Sequence, residues 1–430
     1  MDKMSLSTQP YKGARDFYPK DKRVQKYMFG VMRKVAESFG YQEYDAPIIE
    51  LFDVYAAKTG EEIVNEQLYS FEDRGGRKVA IRPEMTPSVS RMVAARRQEL
   101  AYPLRLYSIP NLWRYERPQR GRLREHWQLN VDLFGVAGIE ADHEIIAVSD
   151  AIMQAYGAKR DMYTIRINSR KLVDYLLGDY LKLGPEQIHA VVKLMDRKLK
   201  MEPSEFSQQA VEILGDEQSR KLINVLDCKN LNELPEELRG HKSATKLKQL
   251  FRLLNESGID DAIFDLGVMR GFDYYTDIVF EVFDNHPDNN RSMFGGGRYD
   301  GLVGLFGVEP IPTVGFGMGD VTLQNFLESN NLLPKLEPET DAVVILIGDV
   351  YHQAQNILSN LRKEGIRLAV DTSGRKLDSQ IKSAAKSGTS CVLFIGEKEL
   401  SQNSYKLKEL ASGEEKDLSF EQVVDTLSRR

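Results

Sequence analysis

Cysteine is nearly absent from this 430-residue chain: only Cys228 and Cys391 occur, and neither has a CxxC partner. That argues against a disulfide scaffold, and six histidines without metal-ligand spacing argue against a structural zinc site. Long apolar runs are missing too. The longest, Ala342 to Ile347, falls far short of the roughly 20 residues a membrane helix needs, so no membrane association is expected. The N-terminus lacks the apolar stretch of a secretory signal, which makes the cytoplasm the expected compartment. There is also no excess of positive charge. Lys plus Arg (58) against Asp plus Glu (64) leaves a formal −6, so any nucleic-acid contact must come from local basic patches. Internal repeats and low-complexity tracts are absent. What is there is ordinary: 42% hydrophobic and 28% charged residues, which excludes wholesale disorder. At about 100 to 200 residues per domain, the length predicts two to four domains.

The patterning divides the chain. Val24, Tyr27, Met28, Val31, Met32, Val35 and Phe39 recur at helical spacing, and Gly40 stands where that helix would stop. A short extended segment, Tyr41 to Ile49, follows. In Gln128 to Phe134, Leu129, Val131 and Leu133 point one way while Gln128, Asn130 and Asp132 point the other, as an antiparallel strand requires. The same alternation over Leu112 to Glu116 puts Arg114 and Glu116 on one face, opposite Trp113 and Tyr115. Strand signals are scarce over 170–255, where the periodicity predicts a helical insertion. Strands return at about Thr276 to Phe283 and near Thr313. Residues 331–340, with Pro334 and Pro338, predict a linker. Beyond it, strands at Ala342–Gly348, Arg367–Asp371 and Cys391–Gly396 alternate with helices at Ala354–Glu364 and Leu377–Ser387, the pattern of a parallel α/β unit. The expected organisation is therefore a domain over 1–330 containing the insertion, and an α/β domain over 341–430.

Four constellations could carry chemistry. Arg105 to Arg124 holds six arginines against one acid, Glu116. Arginine's planar fork binds phosphate bidentately, which suits a nucleotide or a nucleic-acid end, although charge alone would equally suit a solvated hairpin tip. Arg270 to Thr276, RGFDYYT, joins a cation, a carboxylate and two tyrosines at the entry to a strand. If the strand period already holds there, Tyr274 and Tyr275 face opposite surroundings. FGGGRYDGL, around Gly295 to Gly297, allows close backbone approach to a ligand but lacks the Lys-Ser/Thr of a P-loop. GFGMGD, at Gly315 to Asp320, is an incomplete dinucleotide fingerprint. In RPEMT, Glu84 and Thr86 can share one face of an extended segment, a pairing suited to gripping an ammonium group. KMSLS at Lys3 to Ser7 lies at the terminus without a HIGH partner elsewhere in the sequence, and it is set aside.

In order along the chain these motifs form a series. KGARDFYP from Lys12, IRPEMTPSVSRM from Ile81, WRYERPQRGRLREHWQLNVDLFG from Trp113, RGFDYYT from Arg270 and GGGRYDGLV from Gly295 closely resemble class II histidyl-tRNA synthetases. SGRKLDSQIKSAAKSG from Ser373 and FIGEKEL from Phe394 resemble that family's anticodon-binding domain. The resemblance implies an α+β catalytic domain built on an antiparallel sheet flanked by helices. It also implies a homodimer, ATP with Mg²⁺ as co-substrate, and L-histidine and tRNA(His) as further substrates. By position, Arg114 and Arg270 resemble the catalytic α-phosphate cations, with Glu116 and Arg122 also at the ATP. Glu84, Thr86, Arg114, Gln128, Asp132, Arg270, Tyr274 and Tyr275 match the histidine-binding set. Within it Asp132 and the tyrosine pair read the imidazole, because a buried carboxylate rejects isosteres that leave it unpaired. Arg117 and Gln119 match residues facing the tRNA acceptor end. The stretch Arg362 to Lys386 has seven cations against three acids, and Lys382 and Lys386 are its candidates for the anticodon stem-loop.

Two positions depart from the family pattern. Asp132 stands where many members carry glutamate, which keeps the chemistry one methylene shorter. Thr322 occupies the place of an arginine that grips the γ-phosphate in G-x-x-x-G-x-x-R, which makes Arg122 the expected replacement. The same departure fits a rival of another class, a non-charging histidine sensor such as the regulatory subunit of ATP phosphoribosyltransferase. Arg114, Arg270 and the C-terminal domain oppose that reading. RGFDYYT opposes a glycyl or prolyl synthetase.

Overall fold

The computed structural model describes residues 6–57, 63–198, 201–269, 274–289 and 291–428. The chain divides into two compact units, one of residues up to 17 together with 25–333, the other of 18–24 together with 334 onward.

Helix α1 (Pro19–Ser38) buries Met28, Met32 and Ala36 along one stripe. It stops where Gly40 turns to φ +83° and the Tyr41 N–H closes back onto the Ala36 carbonyl, a glycine-dependent C-cap. Strand β1 (Gln42–Glu43) is followed by β2 (Ile49–Leu51), α2 (Phe52–Ala56), β3 (Ser70–Glu72) and β4 (Lys78–Ile81). Strands β2, β4 and β3 make a small antiparallel sheet. Helix α3 (Thr86–Ala95), β5 (Leu104–Ser108), β6 (Asn111–Trp113), β7 (Glu125–Phe134), α4 (Ile139–Ala155) and β8 (Tyr163–Ser169) come next. The strand-poor segment then holds α5 (Arg170–Tyr175), α6 (Pro185–Arg197), α7 (Pro203–Leu226), α8 (Glu236–Gly240) and α9 (Lys242–Glu256). The first unit ends with β9 (Ile263–Phe264), β10 (Ile278–Asp284), β11 (Ser292–Arg298), β12 (Thr313–Gly319) and α10 (Asp320–Ser329).

The large sheet runs β1-β5-β7-β12-β11-β10-β8-β9, with β6 paired to the start of β7. Every pairing is antiparallel except β1 with β5 and β8 with β9. Strand β7 shows why one face is greasy and the other chemical. Leu129, Val131 and Leu133 are at most 1% exposed, on the face where α4 packs across β7 and β12. The intervening Gln128, Asn130 and Asp132 are left on the opposite face. The expected strand over Leu112–Glu116 is shorter than its alternation suggests. It ends at Trp113, because beyond Arg114 the chain leaves β7 and the Tyr115 N–H turns to the Gln67 carbonyl.

In the second unit β13 (Ala342–Ile347), α11 (Tyr351–Lys363), β14 (Leu368–Asp371), α12 (Leu377–Lys386) and β15 (Cys391–Gly396) form the alternating pattern. Two strands that the sequence reading did not foresee, β16 (Tyr405–Glu409) and β17 (Glu415–Leu418), extend the sheet antiparallel, with α13 (Glu397–Gln402) and α14 (Phe420–Ser428) beside them. The sheet is therefore mixed, β14-β13-β15-β16-β17, rather than purely parallel. Charged residues that alternate along β16 and β17 mask their apolar pattern. Lys406 and Lys408 pair with Glu415 across the hairpin.

One ion pair lies deep in the first unit. Arg298, at the end of β11, is 2% exposed and grips Asp142 of α4 at 2.6 Å, while its other N–H groups go to the Val136 and Gly138 carbonyls. Substituting Asp142→Ala should leave a buried guanidinium with only the longer, partly exposed contact to Asp300 at 3.4 Å, at a cost of about 3–5 kcal/mol. Calorimetry should then show a melting temperature lower by at least about 5 °C; an unchanged value would mean that the pair is not holding α4 to the sheet.

Candidate active site

The chemical face of the large sheet forms a cavity, and its floor is made of glycine. In the β7–β12 ladder Gly319 lies opposite Gln128, Gly317 opposite Asn130 and Gly315 opposite Asp132. A Cβ on Gly317 would sit 2.6 Å from the Gln128 amide nitrogen, and one on Gly315 would sit 2.5 Å from Asp132 Oδ1. The neighbouring strand continues the surface with Gly295 opposite Gly317 and Gly297 opposite Gly315. Side chains there would fill the volume that the polar residues of β7 project into.

Seven of the eight residues proposed for histidine line this one cavity: Glu84, Thr86, Arg114, Gln128, Asp132, Tyr274 and Tyr275. The eighth, Arg270, lies outside the described residues, as do Lys3 to Ser5 of the KMSLS segment. Glu84 is placed by its neighbour Arg82, a buried side chain that donates to the carbonyls of Asn111 and Ala46 and to Asp45. That clamp fixes the turn between β4 and α3, so Glu84 (3% exposed) and Thr86 at the start of α3 reach the cavity together. Tyr274 donates from its hydroxyl to Glu84 Oε2 at 3.1 Å. The two adjacent tyrosines do not face opposite surroundings as strand alternation predicts. They precede β10, which starts only at Ile278, and their ring centroids are 4.9 Å apart in the same cavity.

Asp132 is the most unusual group. It is 2% exposed, and the Tyr299 hydroxyl donates to its Oδ1. Its Oδ2 is buried with no hydrogen-bond partner among the described residues. Burial pushes its carboxyl up to about 7 against the opposing hydrogen bond from Tyr299. An unmet acceptor oxygen inside a polar cavity is a demand for an N–H or O–H donor.

Arg114 also lines the cavity, its Nε donating to the Pro83 carbonyl at 2.9 Å. Beyond it the chain forms a loop whose tip pairs Gln119 with Arg122 around Gly121 at φ +80°. Arg122 reaches back to Glu116 at 3.6 Å, while Arg117 and Gln119 project into solvent. Thr322 is occupied structurally. Its hydroxyl donates to the Met293 carbonyl at 2.8 Å, and its methyl packs where Gly121 has no side chain. His126 shares the face of Gln128. Burial and the charges of Arg114 and Arg15 hold its imidazole down at about 3, so it is a neutral ring.

Sequence reasoning missed Asn130, Tyr299 and His126. Asn130 was legible from the alternation that placed Gln128 and Asp132, and Tyr299 lies inside GGGRYDG, where the glycines drew attention away from it. His126 offered only its parity with Gln128.

Comparison with known proteins places this geometry. The family model for histidyl-tRNA synthetase matches residues 13–321, and that for an anticodon-binding domain matches residues 341–430. A Leptospira biflexa protein named histidine–tRNA ligase is 45% identical over 435 residues, covering 99% of each chain. The apo crystal structure of a Staphylococcus aureus histidyl-tRNA synthetase is 26% identical with a TM-score of 0.71, covering 98% of this chain and 100% of that one. A Nostoc histidyl-tRNA synthetase, 23% identical over 99% of this chain and 100% of that one, shares the fold with a TM-score of 0.83. The matched family model spans most of the sequence and every described residue that meets in the cavity, and the chain belongs to the histidyl-tRNA synthetase family.

Proposed function

We infer that this chain is a histidine–tRNA ligase, which activates L-histidine with ATP and transfers it to the 3′ end of tRNA(His). The observation that carries the reading is the Oδ2 of Asp132, buried and without a partner among the described residues, in the cavity that Glu84, Thr86 and Arg114 also line. The imidazole N–H of histidine donates to Asp132, with Tyr274 and Tyr275 enclosing the ring. Glu84 and Thr86 hold the amino group, and Gln128 orients the carboxylate. Arg114 faces the α-phosphate of ATP. A carboxylate oxygen of histidine attacks that phosphorus, the bond to the bridging oxygen of pyrophosphate breaks, and histidyl-adenylate forms. Arg114 offsets the negative charge that gathers on the α-phosphate in the transition state, the preorganised electrostatic role that dominates such transfers. Arg270 supplies the second cation. In the second step a hydroxyl of the terminal adenosine attacks the acyl carbon and AMP leaves.

Glu116, half-buried beside Arg122, is the carboxylate available at the phosphate end, and it fits a Mg²⁺ ion that accompanies ATP and offsets phosphate charge. Arg122 takes the γ-phosphate contact that Thr322 does not provide. Arg117 and Gln119, exposed on the same loop, face the tRNA acceptor end. Lys382 and Lys386 are exposed four residues apart on α12, and among the described residues neither has an ion-pair partner, which suits an anticodon phosphate contact. A homodimer is supported by Ile49, Leu51 and Phe71, apolar residues that the small sheet leaves exposed. The catalytic unit over 1–330, the linker 331–340 and the tRNA-binding unit over 341–430 follow as the functional division. No described helix is long and apolar enough to cross a membrane.

Five outcomes are expected. Pyrophosphate exchange into ATP, run without tRNA, should be stimulated by histidine and by no other amino acid; histidine binding without exchange would instead mark a sensor that does not charge tRNA. Asp132→Asn should raise the histidine KM at least about tenfold. Asp132 accepts an N–H as a carboxylate, and that form is lost as pH falls through about 7. The wild-type histidine KM should therefore climb below neutral pH. In Asp132→Asn only the imidazole of the substrate still titrates, so the climb should be shallower, and equal slopes would remove Asp132 from imidazole recognition. Arg122→Ala should raise the ATP KM more than the histidine KM. Reversing the charge of Lys382 and Lys386 together should weaken tRNA binding and reduce its salt dependence while leaving exchange intact.

A further inference from the structure

The tyrosine pair is tied to the helical insertion through a chain of buried charges. After Tyr275 the backbone passes through Thr276 and Asp277 into β10. Asp277 is 4% exposed, and its carboxylate accepts from the Ser169 hydroxyl at 2.8 Å and from the Lys246 ammonium at 2.8 Å, with Lys171 at 3.7 Å. Lys246 belongs to α9, the last helix of the insertion, and its Nζ also lies 3.9 Å from Asp142. Asp142 is the partner of Arg298, whose carbonyl in turn accepts from the Thr276 N–H at 2.7 Å and from its hydroxyl. The circuit closes on itself: Lys246, Asp277, Thr276, Arg298, Asp142 and again Lys246. Tyr274 and Tyr275 hang from its Thr276 corner.

Lys246 holds this circuit together because, among the described residues, it is the one cation within reach of both acids. Burial pushes the Asp277 carboxyl upward, yet Lys246, Ser169 and Lys171 hold it below the usual carboxylate range. Without the Lys246 charge, two buried carboxylates would share Arg298 and the more distant, half-exposed Lys171. The segment from Thr276 to Asp277 would then have to repack, and the tyrosine rings with it. The insertion also reaches Asp277 through the Arg170 N–H, which donates to its carbonyl at 2.9 Å, and through Lys171, but among the described residues Lys246 alone joins Asp277 to Asp142.

We propose that Lys246 is a positioning residue for the amino-acid substrate, through which the helical insertion sets the geometry of Tyr274 and Tyr275. The proposal rests on the ligase reading above and deepens it, giving the insertion a task at the amino-acid pocket. A bridge that only stabilised the fold would lower the melting temperature without choosing between substrates. A positioning bridge acts on histidine and spares ATP, because the circuit ends at the rings around the imidazole rather than at Arg114 or Arg122.

The test uses the full chain with histidine and ATP varied separately in pyrophosphate exchange, and calorimetric binding of histidine alone. Lys246→Met should raise the histidine KM and the calorimetric Kd by about tenfold or more while the ATP KM changes less than about twofold. Lys246→Arg, which keeps the charge, should restore most of the histidine affinity. If Lys246→Met does not yield folded protein, Ser169→Ala removes another donor to Asp277 and should raise the histidine KM in the same direction, by less. Folded Lys246→Met that binds histidine like wild type, equal rises in both KM values, or no rescue by arginine would each overturn the proposal. Wild-type protein that binds histidine but fails to exchange pyrophosphate overturns the ligase reading alone, since the calorimetric comparison still decides the role of Lys246.

Discussion

The pleat of β7 and the glycines set against it are the constraint on which everything else in the cavity depends. A strand places every second side chain on one face, so Gln128, Asn130 and Asp132 come to the same surface for no reason beyond backbone geometry. That surface is usable only because the opposing positions of β12 carry hydrogen in place of a side chain. With 2.5 to 2.6 Å between a would-be Cβ on Gly315 or Gly317 and the polar atoms of β7, even alanine would force Asp132 or Gln128 to move. The greasy face needs the same register, because shifting β7 by one residue would turn Leu129, Val131 and Leu133 into the cavity and the polar set onto α4. Core packing and chemistry therefore hold each other in place. Neither can drift without the other.

Charge placement follows from that frame. Asp132 lines the cavity, 2% exposed, with one oxygen satisfied by Tyr299 and the other without a partner among the described residues, so it is costly until a donor arrives. Arg114 lines the same cavity half-buried, and Arg122 stands exposed on the loop beyond it. This arrangement suits a substrate with a neutral donor ring at one end and a carboxylate at the other.

Much of this was legible in the sequence, for identifiable reasons. The β7 face could be read because a period of two leaves an unambiguous mark in ten residues. The helices of 170–255 could be read from their spacing and from the lack of strand signals. Strand parity misplaces Tyr274 and Tyr275 because it is extended four residues upstream of where β10 begins, into a turn where parity has no meaning. The antiparallel strands β16 and β17 escaped because their exposed positions carry lysine and glutamate, so the apolar alternation is thin. Tyr299 escaped because its role is set by contact with Asp132, 167 residues away in sequence, and no local pattern reports a distant partner.

Thr322 shows how a departure that looks like a loss can be a change of construction. A long cation at that position would have to lie across the tip of the loop that carries Arg122. Threonine instead bonds to the Met293 carbonyl and gives its methyl to the space beside Gly121. The loop tip thereby gains a seat on β11 and α10, and Arg291, at the edge of β11, donates to the Arg120 carbonyl from the same side at 3.5 Å. Under the ligase reading, the charge absent from the helix is replaced by a loop arginine whose own backbone the threonine helps to hold. An arginine placed at 322 would lose the bond to the Met293 carbonyl and crowd Gly121, so it would disturb the loop before it could add a charge.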